Sequence, residues 1–171
     1  FRTKWLVCLL LLMLLTAATL LLYDLFLSLT LSPVAERAEQ VGYLLPVAMG
    51  TMLITILLDV RLGVLIDLVL AIFAGLYTES TVFAAVALIG GLVGSFGVSA
   101  LGQRSDISRA AFSISIVNAC AIIALGMIES QSPDVICFGV LFGICNGLIS
   151  SIFTMGVLPY LENAFGITTS I

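Results

Sequence analysis

Three polar side chains lie inside otherwise apolar runs of this chain and are the groups that could do chemistry: Asp67, Asn118 and Asn146. A carboxylate at membrane depth is by default a proton or cation site or a ligand contact, because hydrocarbon does not solvate it. Asp67 stands six residues beyond Arg61, about 9 Å along a helix and too deep to reach the surface. The structural alternative is a hydrogen bond, or a pair with Arg104 or Arg109 of a neighbouring helix, and the residues alone leave both readings open. Asn118 and Asn146 are amides able to bond each other or a polar ligand, with glue between helices the favoured role. Asp24 says less, since near the outer end of a long apolar segment it is within reach of headgroups and water.

Composition excludes other chemistry. Histidine is absent, which removes the commonest metal ligand and general base together, and with them any Ser/His or Cys/His pair. No metal or cofactor site is expected within these residues. Cys8, Cys120, Cys137 and Cys145 sit in apolar runs without a paired short spacing and read as buried structural thiols. Six basic residues against ten acidic ones leave a net charge of -4 and no electrostatic footprint for nucleic acid.

The elements that must position Asp67 and the two asparagines are membrane helices. Hydrophobic residues make up 61% and charged ones 9% of the chain, against soluble averages of roughly 45 to 50% and 25%. Six apolar segments follow one another, about 5–29, 43–58, 62–77, 82–100, 110–128 and 135–158, each near the roughly 20 residues that cross hydrocarbon. They are apolar all round rather than striped, and they do not alternate as barrel strands do. The expected fold is all-α: a single polytopic domain, a bundle of six transmembrane helices with short loops, in contact with the lipid bilayer. In the third segment the apolar residues contribute roughly -3 to -6 kcal/mol to insertion against about +2.5 to +3.5 for a central aspartate, so it inserts with Asp67 in place.

Orientation follows from the basic residues. Arg2, Lys4, Arg61, Arg104 and Arg109, five of the six, fall on one side of this arrangement, while Glu36, Arg37, Glu39, Glu79, Glu129 and Asp134 fall on the other. The positive-inside rule then makes both ends cytoplasmic. The stretch from Trp5 to Leu31 is too long for a signal peptide and lacks a small-residue cleavage pattern.

Small residues recur at helical spacing. Gly139, Gly143 and Gly147, extended by Ser150 and Ser151, form one stripe, and Gly90, Gly91, Gly94 and Gly97 form another. Such stripes let a neighbouring backbone approach closely. Packing inside the bundle is the expected use, with a homodimer through the Gly139 to Gly147 face as the lesser alternative.

Several segments resemble one family. Tyr43-Leu44-Leu45-Pro46-Val47-Ala48-Met49, Met52-Leu53 and Leu57-Leu58-Asp59-Val60-Arg61-Leu62 look like the membrane domain of bacterial seven-transmembrane receptors with an intracellular HD hydrolase domain. Arg104-Ser105-Asp106, Arg109-Ala110 and Asn118 fit the same domain. The most specific match is the closing Leu158-Pro159-Tyr160-Leu161-Glu162 followed by Phe165-Gly166-Ile167-Thr168-Thr169. The resemblance implies that the six segments are the second to seventh of seven spans in a bacterial plasma membrane, preceded by an extracytoplasmic domain. It further implies that a cytoplasmic HD domain, which cleaves cyclic di-AMP with divalent metal ions held by His and Asp, follows the closing segment. Asp67 matches no motif of the family.

The leading functional expectation is therefore a membrane sensor and transmitter module of a cyclic di-AMP phosphodiesterase, itself non-catalytic. The alternatives are a membrane subunit that binds or transports a small solute with Asp67 in the pathway, and a scaffold that dimerises enzymes through the Gly139 to Gly147 face.

Overall fold

The structure, a computed structural model, describes residues 47–99 and 105–165, together with Tyr43 and the positions Thr3, Leu6, Leu10, Leu14, Ala17, Ala18, Leu21 and Leu25. Five helices cover the continuous part: α1 (Val47–Leu57), α2 (Val60–Thr78), α3 (Thr81–Ser99), α4 (Ser105–Ile128) and α5 (Pro133–Phe165). Among the described residues there is no strand. The segment expected at 5–29 lies mostly outside the described residues, although its isolated described positions are helical. Pro46, Asp24, Arg104 and Cys8 also lie outside them.

Four helices are long and apolar enough to cross a membrane, spanning Val60–Thr78, Thr81–Ser99, Ile107–Ile128 and Pro133–Asn163. They correspond to the third to sixth expected segments, and the chain is a multi-pass membrane protein. Of the second expected segment, 43–58, the structure describes Tyr43, the 11 residues of α1 and Leu58. Nine of those 11 residues are buried, so α1 is a core helix enclosed by protein.

The other four helices form an arc of sequential neighbours, α2 on α3, α3 on α4 and α4 on α5, and α1 lies inside it against α2, α3 and α5. Short connections dictate this order, since Leu58-Asp59 and Glu79-Ser80 leave antiparallel packing as the available geometry. Both α2 and α4 stop at a residue in the left-handed region, Glu79 at φ 53° and Ser130 at φ 57°. Each stop is closed by a bond back to the last turn, from Ser80 N–H to the Gly75 carbonyl and from Gln131 N–H to the Gly126 carbonyl.

The core has three apolar regions. Val47, Leu53, Ile54 and Leu57 of α1 meet Leu70 and Ala74 of α2 and Leu158 of α5. Ala48 and Met52 meet Val98 of α3 and Ile107, Ala110 and Ile114 of α4. Tyr43 packs on Phe83 with ring centroids 4.5 Å apart and edge to face, beside Val82, Val86 and Ile122. Outward faces are equally apolar, with Leu65, Leu68, Ile72, Phe112, Ile116 and Ile152 exposed, as lipid contact requires.

The cysteines depart from expectation. Cys120 and Cys137 are free thiols on the outer surface and Cys145 is half-buried. A thiol behaves as a small hydrophobe, so the lipid-facing side of a span accommodates it as readily as the core.

Candidate functional site

The polar interior is built at the junction of α1, α2 and α3. Thr51 and Thr55 on α1, Gly63 and Asp67 on α2, and Gly91 and Ser95 on α3 are three pairs, each one helical turn apart and all buried. The glycines let the helices close in. A Cβ on Gly63 would collide with Thr55 Oγ1 and come within 3.0 Å of Ser95 Oγ, while a Cβ on Gly91 would fall inside the Asp67 carboxyl group. The six positions therefore stack as two layers, with Thr55, Gly63 and Ser95 in one and Asp67 and Gly91 in the next.

Thr51 joins the layers. Its hydroxyl donates to the Ala48 carbonyl at 3.0 Å and to the Gly91 carbonyl at 3.3 Å. Its own carbonyl accepts from Thr55 Oγ1 at 2.7 Å, and Thr55 Oγ1 lies 2.9 Å from Ser95 Oγ. Asp67 is 0% exposed, and neither of its carboxylate oxygens has a hydrogen-bond partner. The pair entertained with Arg109 is not formed, because Arg109 is exposed on α4 while Asp67 points into the α1–α3 junction; Arg104 lies outside the described residues.

A second polar seam joins α4 to α5. Asn118 Nδ2 donates to the Gly143 carbonyl at 3.2 Å and Ser115 Oγ to the Ile144 carbonyl at 3.0 Å. Asn146 Oδ1 accepts from Ser150 Oγ at 2.9 Å, and Thr154 Oγ1 donates to the Ser150 carbonyl at 2.6 Å. The two asparagines do not bond each other. The turn of α5 that faces Asn118 presents backbone carbonyl, and Asn146 finds its partner one turn along its own helix. Asn118 Oδ1 is buried without a partner, close to the glycine next to Asp67's: a Cβ on Gly90 would lie 2.7 Å from it. Replacing Asn118 by alanine is expected to cost about 0.6 to 1.7 kcal/mol, read as a fall in the unfolding midpoint in lipid-detergent mixtures.

The glycine stripes are occupied inside the chain. Gly143 faces Ile122 and Asn118, and Gly147 faces Ser115 and Ala111, all on α4; Gly139, also on α5, is buried. Gly94 faces Met52 and Ile114, and Gly97 faces Ala110. The face proposed for dimerisation is thus covered by α4. Sequence reasoning missed Thr51, Thr55, Ser95, Ser115 and Thr154, although Thr51 and Thr55 share the spacing of Gly91 and Ser95.

No group of three or more His, Cys, Asp and Glu side chains lies together among the described residues. These residues do not fit a hydrolase metal centre, and no hydrolytic step is assigned to them.

The sequence profile of the family described as "7TM receptor with intracellular HD hydrolase" matches residues 5–169. The chain belongs to this family. Cyclic-di-AMP phosphodiesterase PgpH of Bacillus subtilis (strain 168) is similar at 27% identity over 141 residues, which cover 77% of this chain and 20% of that protein. The chain thus spans about a fifth of the length of the curated relative it matches. No solved structure gives a significant match. Within the family, the helices described above are part of the membrane domain, and the two polar seams are its interior.

Proposed function

We propose that these residues are the membrane sensor and transmitter module of a cyclic di-AMP phosphodiesterase. In this reading they are non-catalytic and are joined to a cytoplasmic HD hydrolase domain that binds the divalent metal ions. The family match over residues 5–169 carries the reading, and the similarity to the cyclic-di-AMP phosphodiesterase of Bacillus subtilis supports it. The basic residues Arg2, Lys4, Arg61, Arg104 and Arg109 support a bacterial plasma-membrane orientation with both ends of the module in the cytoplasm. The length of α5 supports transmission: its 33 residues make about 50 Å of helix, well beyond the roughly 30 Å of hydrocarbon.

The test is hydrolysis of cyclic di-AMP by the full-length protein reconstituted in lipid, beside residues 1–171 alone. Turnover is expected from the former and none from the latter, with loss of turnover when the His and Asp of the adjoining domain are replaced. A full-length protein that carries no such domain, or that leaves cyclic di-AMP intact, would overturn the reading.

A further inference from the structure

Asp67 offers two buried acceptor oxygens to which no described group donates. Hydroxyl groups stand close by, yet their protons are committed elsewhere. Thr51 donates to the Ala48 and Gly91 carbonyls. Thr55 donates to the Thr51 carbonyl, which makes Ser95 the donor in the Thr55–Ser95 contact. No hydroxyl proton of these layers remains for the carboxylate.

Among the described residues charge compensation is missing as well. The helices α1 and α3, which flank α2, contain no ionisable side chain. On α2 itself the other ionisable groups are Arg61, exposed near one end, and Tyr77, exposed near the other. The helix α5 reaches the α1–α2 core with the apolar Leu158, and Arg109 of α4 is exposed. An isolated ionised carboxylate in such surroundings is among the costliest groups to bury. The Gly91 notch nevertheless receives the carboxyl group so closely that no side chain at that position could coexist with it. A site shaped around a carboxyl group, with no group among the described residues to neutralise it, calls for a small ligand that brings one positive charge.

We propose that Asp67 binds a monovalent cation, either a hydron or an alkali-metal ion, and that its occupancy holds α2 in the Gly91 notch of α3. With the cation bound the group is neutral and the three helices stay packed. Without it the carboxylate draws in water and α2 loosens from α3, so cation binding and helix packing stabilise each other. The inference does not depend on an attached hydrolase.

The experiment uses the full-length protein in lipid nanodiscs, following the thermal midpoint and the infrared carboxylic-acid band. One arm titrates pH in a choline buffer free of alkali ions; the other titrates sodium and potassium at a fixed alkaline pH. The midpoint is expected to rise by roughly 5–10 °C when the cation is in about hundredfold excess over its dissociation constant. Asp67→Asn removes that rise. A band that appears on acidification in the wild type and not in Asp67→Asn identifies the hydron; a rise with sodium or potassium without the band identifies the metal ion. Should Asp67→Asn fail to fold, Asp67→Leu, apolar and of the right size for the interior, serves the same comparison. No rise in either arm for the wild type, or an equal rise in the Asp67 variants, overturns the proposal.

Discussion

Replacing Gly147 by alanine is expected to destabilise the bundle by about 1–3 kcal/mol, and replacing it by leucine is expected to keep α5 from docking on α4. The reason is what the added atom meets. A Cβ at Gly147 would lie 2.8 Å from the Ser115 backbone nitrogen and 2.9 Å from the Ala111 carbonyl oxygen. Backbone cannot turn aside as a side chain can, so the two helices must separate, and the bonds from Ser115 and Asn118 to the Ile144 and Gly143 carbonyls lengthen with them. Gly143→Ala should cost less, because its Cβ meets chiefly the end of the Ile122 side chain, which can change rotamer. Gly156 has nothing within 4 Å, and there alanine should be neutral or stabilising by up to about 1 kcal/mol, since it restricts the unfolded chain more than glycine does. Unfolding midpoints of the three alanine variants in one lipid-detergent mixture give the ranking. Gly147→Ala proving as stable as Gly156→Ala would mean that the α4–α5 approach is looser than described.

That ranking marks where sequence reasoning stops. Length and hydropathy suffice to locate α2 to α5, because a bilayer demands long runs of apolar residues and leaves few alternatives. They do not separate α1 from a lipid-facing span: a helix surrounded by protein and one surrounded by lipid are both apolar on every side. The burial of α1 becomes apparent only when the arc around it is seen. Glycine stripes are legible for the same reason that spans are, as a spacing, but the neighbour they admit is not. The Gly139 to Gly147 face could serve α4 or a second chain equally well until α4 is placed on it.

Asp67 shows the same division. Its depth is readable from its distance to Arg61, whereas its lack of a partner depends on how α1 and α3 are rotated. A turn of either helix by one residue would bring a different set of groups toward the carboxylate. Asn118 joins two helices, the role favoured for it, but that its partner is the Gly143 carbonyl and not Asn146 is set by rotation about the helix axis, which hydropathy does not encode.

In the full-length protein, two residues inserted after Asn163 are expected to change cyclic di-AMP turnover at least about fivefold, the lower end of ordinary coupling between sites. Seven inserted residues should restore most of it. This rests on the proposed attachment of a hydrolase and on the form of α5. The helix is continuous from Pro133 to Phe165, and Leu158 fastens it to Val47, Leu53, Ile54, Leu57, Leu70 and Ala74. Beyond that anchor Pro159 removes one intrahelical hydrogen bond, which permits a bend there, and Tyr160 is already 77% exposed. A movement of α1 or α2, including one driven by occupancy of Asp67, therefore reaches Leu158 directly and leaves the membrane as a tilt or rotation of the last helical turns. At about 100° per residue, two residues turn whatever follows by about 200°, while seven fall about 20° short of two full turns. Turnover measured in native-like membranes for the wild type and both insertions separates phase from length. Equal effects of the two- and seven-residue insertions would show that no stiff helix carries the signal and that the joint acts as a flexible tether.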